Sequence, residues 1–511
     1  MRASEPKTTY LFTPETDSTE LLQQMRAHFQ VVTDGKVKSS IQLYDTFDFR
    51  ILRKDMFLCY ENDLLCLQSV CNMNCEAEIE LAEMVCFATD LPRGGLRKLV
   101  APIIEMRALL VQASGTVEAA AFLLRDARAK IVARLRIKKY FNQQGRRKIP
   151  IATELQVTGV RGFDNSMKKI EDVLNQVASH RPESSALMLL LTEQAGEALA
   201  KPPVAMLTPE MNAHEALHEL LLPNLFALRQ NVDGICRDID TEFLHDFRVA
   251  VRRARAALSQ LKGILPLSDN DKYSEKFAAL GKRTNRLRDL DVYLLEKETM
   301  IADLLPQMQE DIAPLFTALA EERALEQQKL SRYLRSTRFR NFLDEWEQYL
   351  LKQPDVLSIE ALEGVLPLAR RRIWFYYRRL VKRGMKITAM SADKKLHDLR
   401  LDAKKLRYLL EFFQTLFPKE EMTTFITALK KLQNNLGDFQ DGSVQMEELL
   451  AYGQRVTGSS VKMRRALLAS GSLLGQLHLR NQEIRRKFIV IFKDFAGKKT
   501  LQNMKHICFK Q

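Results

Sequence analysis

The sequence predicts an α+β domain of about two hundred residues followed by an all-α domain built twice on one plan. Three observations predict this. Ile41–Leu52, Met56–Leu67, Ile131–Tyr140 and Ile151–Val160 mix β-branched and aromatic residues in partial alternation, as strands do. From Pro209 onward glycine and proline fall mainly between long amphipathic segments, the pattern of consecutive helices. Within that stretch His245-Asp-Phe-Arg-Val-Ala-Val-Arg-Arg-Ala-Arg255 recurs as His397-Asp-Leu-Arg-Leu-Asp-Ala-Lys-Lys-Leu-Arg407. A segment used twice with the same spacing marks a repeated structural unit.

The elements follow in order. In the first domain, 1–200, Ser18–Phe29, Asn165–Val177 and Ala186–Leu199 carry helical periodicity. Lys201-Pro202-Pro203 then stops the chain, because paired prolines end helices and stiffen linkers. The second domain, 207–511, divides into halves of about 209–355 and 356–507. Helices are expected near 211–232, 241–262, 270–299, 304–327 and 335–351, with breaks at Gly263-Ile-Leu-Pro266 and Pro354. The second set lies near 358–382, 392–416, 419–436, 440–453 and 459–495, with Gly384 between its first two members. Asn285-Arg-Leu-Arg-Asp289 corresponds to Asn434-Asn-Leu-Gly-Asp438, each a similar interval after its motif.

At about 100° per residue, His245, Arg248, Arg252 and Arg255 fall within roughly 80° of one another on a helix. Phe247, Ala250, Val251, Ala254, Leu258 and Leu261 occupy the opposite side. His397, Arg400, Lys404 and Arg407 form the same stripe, backed by Leu399, Leu406, Leu410 and Phe413. One such stripe is most often a solvated face; two copies in step argue for a shared anionic ligand. Pseudo-twofold packing would bring the stripes together as a groove lined from both sides. Thr241 and Ser391 are the expected helix caps, directing the positive dipole end toward each histidine. Cations crowd both imidazoles, so His245 and His397 are expected to take up protons when an anion binds.

Composition agrees. The 511 residues are too many for one compact core, and 46% hydrophobic content is ample for packing. Nearly all of the net charge of +14 falls after residue 204, which points to an anionic partner. The opening Met1-Arg-Ala-Ser-Glu-Pro-Lys lacks the apolar run of a signal peptide, and no stretch reaches membrane-spanning length. A cytoplasmic protein without membrane contact is the expectation. Five of the seven cysteines (Cys59, Cys66, Cys71, Cys75, Cys86) crowd the first domain without Cys-x-x-Cys spacing. They are expected to be free thiols, and no metal or cofactor is called for.

The two motif helices, with Leu287-Arg-Asp289 and Leu436-Gly-Asp438, resemble the conserved-histidine α-helical domain, the CHAD family, over roughly Pro209 to Ile507. That resemblance implies two pseudo-symmetric four-helix bundles that bind inorganic polyphosphate in a basic central channel. Carried over by position, it assigns polyphosphate contacts to His245, Arg248, Arg252, Arg253, Arg255, His397, Arg400, Lys404, Lys405 and Arg407. Lys282, Arg286 and Lys431 follow from the succeeding helices. Arginine forks grip two phosphate oxygens and lysines serve as compact charges, so the second copy keeps charge but loses bidentate geometry. The implied role is a nonenzymatic module, at polyphosphate granules or on a polymer-processing enzyme.

The first domain resembles the CYTH, or triphosphate-tunnel, fold, a β-barrel with helices. Ile41-Gln-Leu-Tyr-Asp-Thr-Phe-Asp-Phe-Arg50 is similar to that family's Tyr-Asp-Thr strand and turn, and Thr153-Glu-Leu-Gln156 to its later acidic strand. The Glu-x-Glu-x-Lys motif is replaced by Thr8-Thr-Tyr-Leu-Phe12, and the basic Arg-x-Arg by Leu58-Cys-Tyr60. A degenerate, noncatalytic domain follows, because the groups that would hold metal and triphosphate are missing. Glu76, Glu78 and Glu80 come after the Tyr-Asp-Thr element and read as a solvated face.

The rival readings are an enzyme and a nucleic-acid binder. A triphosphatase in the first domain needs the absent acidic motif. His245-Asp246 and His397-Asp398 superficially match metal-dependent HD phosphohydrolases, but neighbouring arginines repel a divalent cation. No catalytic residue is assigned; Asp289 and Asp438 are expected to orient arginines. His214 and His218 share a helix face without a third ligand and read as ordinary helix residues. RNA or DNA would be attracted by charge alone, yet no aromatics interleave with either stripe.

Overall fold

A computed structural model describes the chain except residues 1–6, 15, 17, 71–74, 145–146, 178–184, 200–202, 353–356, 389, 457–459 and 510–511. Cys71, Pro354, Lys201-Pro202 and the start of the chain through Pro6 therefore lie outside the described residues. The chain divides into two compact units, Met1–Lys201 and Pro202–Gln511.

The first unit is an antiparallel sheet of eight strands: β1 (Lys7–Phe12), β2 (Gln30–Asp45), β3 (Met56–Glu61), β4 (Leu64–Ser69), β5 (Cys75–Glu80), β6 (Leu110–Arg125), β7 (Ile131–Gln144) and β8 (Arg147–Gly159). Their order is β1-β8-β7-β6-β2-β3-β4-β5. Four helices accompany it: α1 (Ser18–Arg26), α2 (Gly95–Ile104), α3 (Asp164–Val177) and α4 (Ala186–Ala195). Met25 of α1 and Ile170 and Leu174 of α3 join one core with Leu124, Leu135 and Val157 of the sheet. Leu187, Leu190 and Leu191 of α4 build a separate core with Leu43, Phe57, Val117 and Tyr140. Gly115 lets α4 approach, because a Cβ there would meet the Phe141 carbonyl oxygen at 2.7 Å and the Leu190 side chain at 3.1 Å. Gly196, with φ of +47°, ends α4 four residues earlier than periodicity predicts.

The single strand expected over Met56–Leu67 is two. Asn62 and Asp63 both take positive φ, 50° and 60°, and turn β3 into β4. Asn and Asp tolerate that geometry, which suits the twist of a tight hairpin. Strand β2 begins well before Ile41 and stops at Asp45, whose carboxylate accepts hydrogen bonds from the backbone N–H of Thr46 (2.7 Å), Ile51 (2.9 Å) and Leu52 (2.8 Å). The Tyr44-Asp45-Thr46 element thus closes a turn. Burial pushes the Asp45 carboxyl up to about 6 despite these donors. Asp45→Ala would orphan three N–H groups at about 1–3 kcal/mol each, so a clearly lower urea midpoint for this unit is expected. An unchanged midpoint would show the turn to be held by something else.

The second unit is helical: α5 (Ala213–Arg237), α6 (Thr241–Gln260), α7 (Leu267–Leu295), α8 (Lys297–Ala302), α9 (Ala313–Leu334), α10 (Thr337–Leu351), α11 (Ile359–Leu362), α12 (Val365–Gly384), α13 (Asp393–Phe413), α14 (Lys419–Arg455), α15 (Val461–Phe495) and α16 (Lys498–Phe509). Helices α5, α6 and α7 pack in sequence, with α9 and α10 completing that bundle. Helices α12, α13 and α14 repeat the arrangement, completed by α15 and α16. The motif helices α6 and α13 lie against each other.

Two boundaries differ from expectation. Helix α9 starts at Ala313 rather than near 304, because Pro306 opens a short 3-10 turn and Pro314 occupies the first helical turn. The break expected after 436 is absent, and α14 runs on to Arg455. Its extension is buried: Leu449 and Tyr452 share a core with Leu290 and Tyr293 of α7, Leu315 and Phe316 of α9, and Leu473 of α15. Tertiary burial outweighs the roughly 1 kcal/mol that a helical glycine costs at Gly437 and again at Gly442. At Gly442 a Cβ would meet the Asn481 Oδ1 at 2.5 Å, so the bare backbone is what lets α14 and α15 approach.

Candidate functional site

The placement of α6 begins with Asp240, not Thr241. Its carboxylate accepts from the Glu242 N–H (2.9 Å) and the Phe243 N–H (3.2 Å), making it the helix cap. The Phe243 ring lies where a Cβ on Gly234 would stand, which locks α5 to α6. Phe247, Ala250, Val251, Ala254, Leu258 and Leu261 are all buried, so the basic stripe is turned out of the bundle core. In α13 the cap position belongs to Ala392, without a side-chain bond. Ser391 instead accepts from the Thr388 N–H at 3.1 Å. Leu399, Leu406, Leu410 and Phe413 are buried as the repeat predicts.

The two stripes converge. Burial pulls the Lys404 ammonium of α13 down to about 8, helped by Arg400 of its own helix and by Arg252 and Arg248 of α6. Burial and then Arg252 likewise pull the Arg248 guanidinium down to about 10. The Nε atoms of Arg248, Arg252 and Arg400 are buried without a hydrogen-bond partner. Arg248 is held by neutral groups of α7, donating to Thr284 Oγ1 at 2.7 Å and Asn285 Oδ1 at 2.8 Å. Acid reaches this cluster from two sides: Asp441 lies 3.5 Å from Arg400 and also attracts Lys404, and Asp289 attracts Arg248 from a distance. Among the described residues Arg248, Arg252 and Lys404 have no carboxylate at ion-pair distance. Half-buried like charges of this kind raise the energy of the free protein and are lowered by an incoming anion.

Other predicted contacts divide. Arg253 and Arg407, one from each copy, share Glu411 at 3.5 and 2.6 Å. Arg255 lies over Gly281, where a Cβ would come within 3.2 Å of its Nη1. Lys282 is exposed and Lys405 half-buried, with no carboxylate partner among the described residues. His245 is half-buried on α6. His397 is exposed, its Nδ1 2.6 Å from Gln440 Oε1.

Two further predicted contacts, Arg286 and Lys431, are held by carboxylates. Arg286 is clamped by Glu322 and Glu448, each at 2.5 Å, and both partners raise its pKa. Lys431 is turned toward α15 and α16, 3.7 Å from Asp494, in a cleft that Phe495 and Lys499 also line. Lys431 thus faces α15, whereas Arg286 shares the field of Asp289 with Arg248 but is neutralised by its two glutamates. Asp441 and Glu411, rather than Asp438, carry the acid that meets the stripe arginines; nothing in the repeat marks them, since Asp441 aligns with Val292. Buried Asp402, inside the second motif, pairs with Arg379 at 3.1 Å and Arg383 at 2.6 Å, tying α13 to α12. The His214 and His218 rings lie 4.2 Å apart, and His218 Nδ1 is 2.7 Å from the Leu350 carbonyl oxygen. Burial lowers both pKa values.

The first unit contains a cavity of about 860 Å³ lined by Glu61, Glu78, Arg136, Lys138, Tyr140 and Glu154 among others. Strand β1 adds no acid to this wall: Thr9 stands opposite Gln156 and Leu11 opposite Glu154. Glu76, Glu78 and Glu80 lie exposed on β5, and Glu78 and Glu80 also line this cavity.

Residues 219–450 match the family model of the CHAD domain. The helical unit carries a CHAD domain. A crystal structure of the CHAD domain from the plant Ricinus communis is 21% identical, covers 57% of this chain and 95% of that one, and superposes with a TM-score of 0.49. PptA from Streptomyces chartreusis is 16% identical over 55% of this chain and all of its own, with a TM-score of 0.45. A Vibrio parahaemolyticus protein described as a candidate adenylate cyclase is 11% identical over 37% of this chain and 99% of its own, with a TM-score of 0.23. No curated protein sequence matches. No helix among the described residues is long and apolar enough to cross a membrane.

Proposed function

We propose that the CHAD domain binds inorganic polyphosphate in the cationic cluster between α6 and α13, as a targeting or holding module without catalysis. One observation carries this reading: Lys404 is repelled by arginines of both repeats, and the attraction of Asp441, which also pairs with Arg400, does not offset that repulsion and burial. The contacts would come from Arg248, Arg252, Arg400 and Lys404 at the centre. His245, Arg255, Lys282, His397 and Lys405 would serve at the flanks, with Arg253 and Arg407 released from Glu411. A linear polyanion presents closely spaced charges that match cations one helical turn apart. The expected setting is the cytoplasm, at polyphosphate granules or on a polymer-processing enzyme.

Filter binding of the full chain tests it. Long-chain polyphosphate should be retained with an affinity that falls steeply with salt, because each neutralised phosphate releases a counterion. At equal phosphate concentration it should displace RNA, since no aromatic interleaves with either stripe to stack bases. RNA displacing polyphosphate would favour a nucleic-acid partner instead. For the first domain, Thr9 and Leu11 on β1 support a noncatalytic role. Incubation with tripolyphosphate and Mg²⁺ or Mn²⁺ should release no phosphate above a blank; release abolished by EDTA would make this chain a triphosphatase.

A further inference from the structure

The strand register of the first unit brings together residues that sequence spacing keeps apart. Cys59 of β3 stands directly opposite Cys66 of β4, and Cys66 directly opposite Glu78 of β5. Directly opposed residues of an antiparallel sheet project from one face, so the three form a row across it. An irregularity between Leu67 and Gln68 sets Cys75 beside this row. Its Sγ is 2.7 Å from Cys66 Sγ and 3.6 Å from Glu78 Oε2. One ligand atom each from Cys66, Cys75 and Glu78 lies within 4.8 Å of the others. All four residues line the 860 Å³ cavity, with Glu61 and Glu80 on the same group of strands and Arg136 and Lys138 on β7.

We propose that Cys66, Cys75 and Glu78 form a binding site for a thiophilic divalent cation of the zinc class, with Cys59 or water as fourth ligand. Two thiolates and a carboxylate in reach of one point suit a tetrahedral d¹⁰ ion, whose bonds to sulfur are about 2.3 Å. The separations of 2.7 and 3.6 Å are short enough that modest side-chain rotation would bring three donors around one ion. Binding replaces the thiol protons, which leave to solvent, and no oxidant or reductant is needed. The site joins β4 to the edge strand β5, so a bound ion would staple that edge. Buried Cys66 lies inward, while exposed Cys75 and Glu78 leave an entry path.

The test uses the reduced full chain titrated with Co²⁺ as a spectroscopic stand-in for Zn²⁺. One equivalent should produce thiolate-to-cobalt charge-transfer absorption and intense visible bands of tetrahedral cobalt, both lost when Zn²⁺ is added. Cys75→Ser, at an exposed position, should abolish the charge-transfer signal with circular dichroism unchanged, and Cys66→Ser should do the same. Cys236→Ser, in the helical unit, should leave it intact. Zn²⁺ should also raise the melting temperature of the wild type and not of Cys75→Ser. No charge-transfer band in the fully reduced wild type overturns the proposal. So does a band that survives both Cys66→Ser and Cys75→Ser.

Discussion

Replacing Arg252, Arg400 and Lys404 together with methionine should abolish polyphosphate binding and make the free protein more stable. Hydrogen bonds to charged groups contribute about 1.5–3 kcal/mol each, so losing three weakens binding by at least about a thousandfold. The stability gain has a separate cause. Arg252 and Arg400 each bury an Nε without a partner, and both push on Lys404. Apolar side chains of similar length remove that repulsion and the desolvation of the charges, which outweighs the lost attraction of Arg400 and Lys404 for the rim carboxylate Asp441. The measurements are filter binding and thermal denaturation of the same variant. A lower melting temperature with lost binding would make the cluster structural rather than a receptor. Unchanged binding would move the site elsewhere.

The second large effect concerns protons. Lys404 titrates at about 8 in the folded chain, below its ordinary 10.5, because burial and the neighbouring arginines disfavour its charge. Below pH 8 the folded and unfolded chains both carry this charge, and the full penalty, on the order of 3 kcal/mol, is present. As pH rises from 8 toward 10.5 only the folded chain sheds the proton, so stability contributed by this site increases. A bound polyanion reverses the bias and restores the charge. Binding near pH 9 should therefore take up about one proton, and affinity should fall up to about tenfold per pH unit above 8. Calorimetry in buffers of different ionisation enthalpy reads the uptake directly. Lys404→Arg should keep affinity and lose the pH dependence, since a guanidinium stays charged throughout. The uptake expected here is at Lys404, in addition to the uptake at His245 and His397 that the sequence alone points to. Titration near pH 6–7 that vanishes with His245→Gln and His397→Gln would show the uptake at the histidines.

The contrast between Lys404 and the histidines shows where sequence reasoning stops. The helix face of each stripe was legible, because 3.6-residue periodicity fixes angular position and the apolar backing residues are buried as that periodicity requires. Degree of burial along the stripe was not legible. It depends on how closely α13 approaches α6, which no local pattern encodes. Arg286 and Arg248 look alike in sequence, yet one is clamped by Glu322 and Glu448 and the other rests on neutral Thr284 and Asn285. Glu448 lies 162 residues from Arg286 and becomes its neighbour only through packing between the halves.

The strands tell a similar story. Alternation marked β7 and β8, and the Asn62-Asp63 pair carried a hairpin signal that a run of apolar residues on either side obscured. Strand β6 went unforeseen because its alanine-rich segment has weak strand propensity and is held between β2 and β7. The cysteines have no metal-like spacing along the chain, since a cross-strand site is written in register instead.

By itself, then, the sequence determined the repeated helical plan and the outward basic stripes. These are short-range properties, governed by residue type and the period of one element. Tertiary structure alone decided which cations stay uncompensated, where the proton is weakly held and which thiols meet. Such outcomes depend on distances between groups far apart in the chain, and electrostatic energy in a half-buried site changes steeply with those distances.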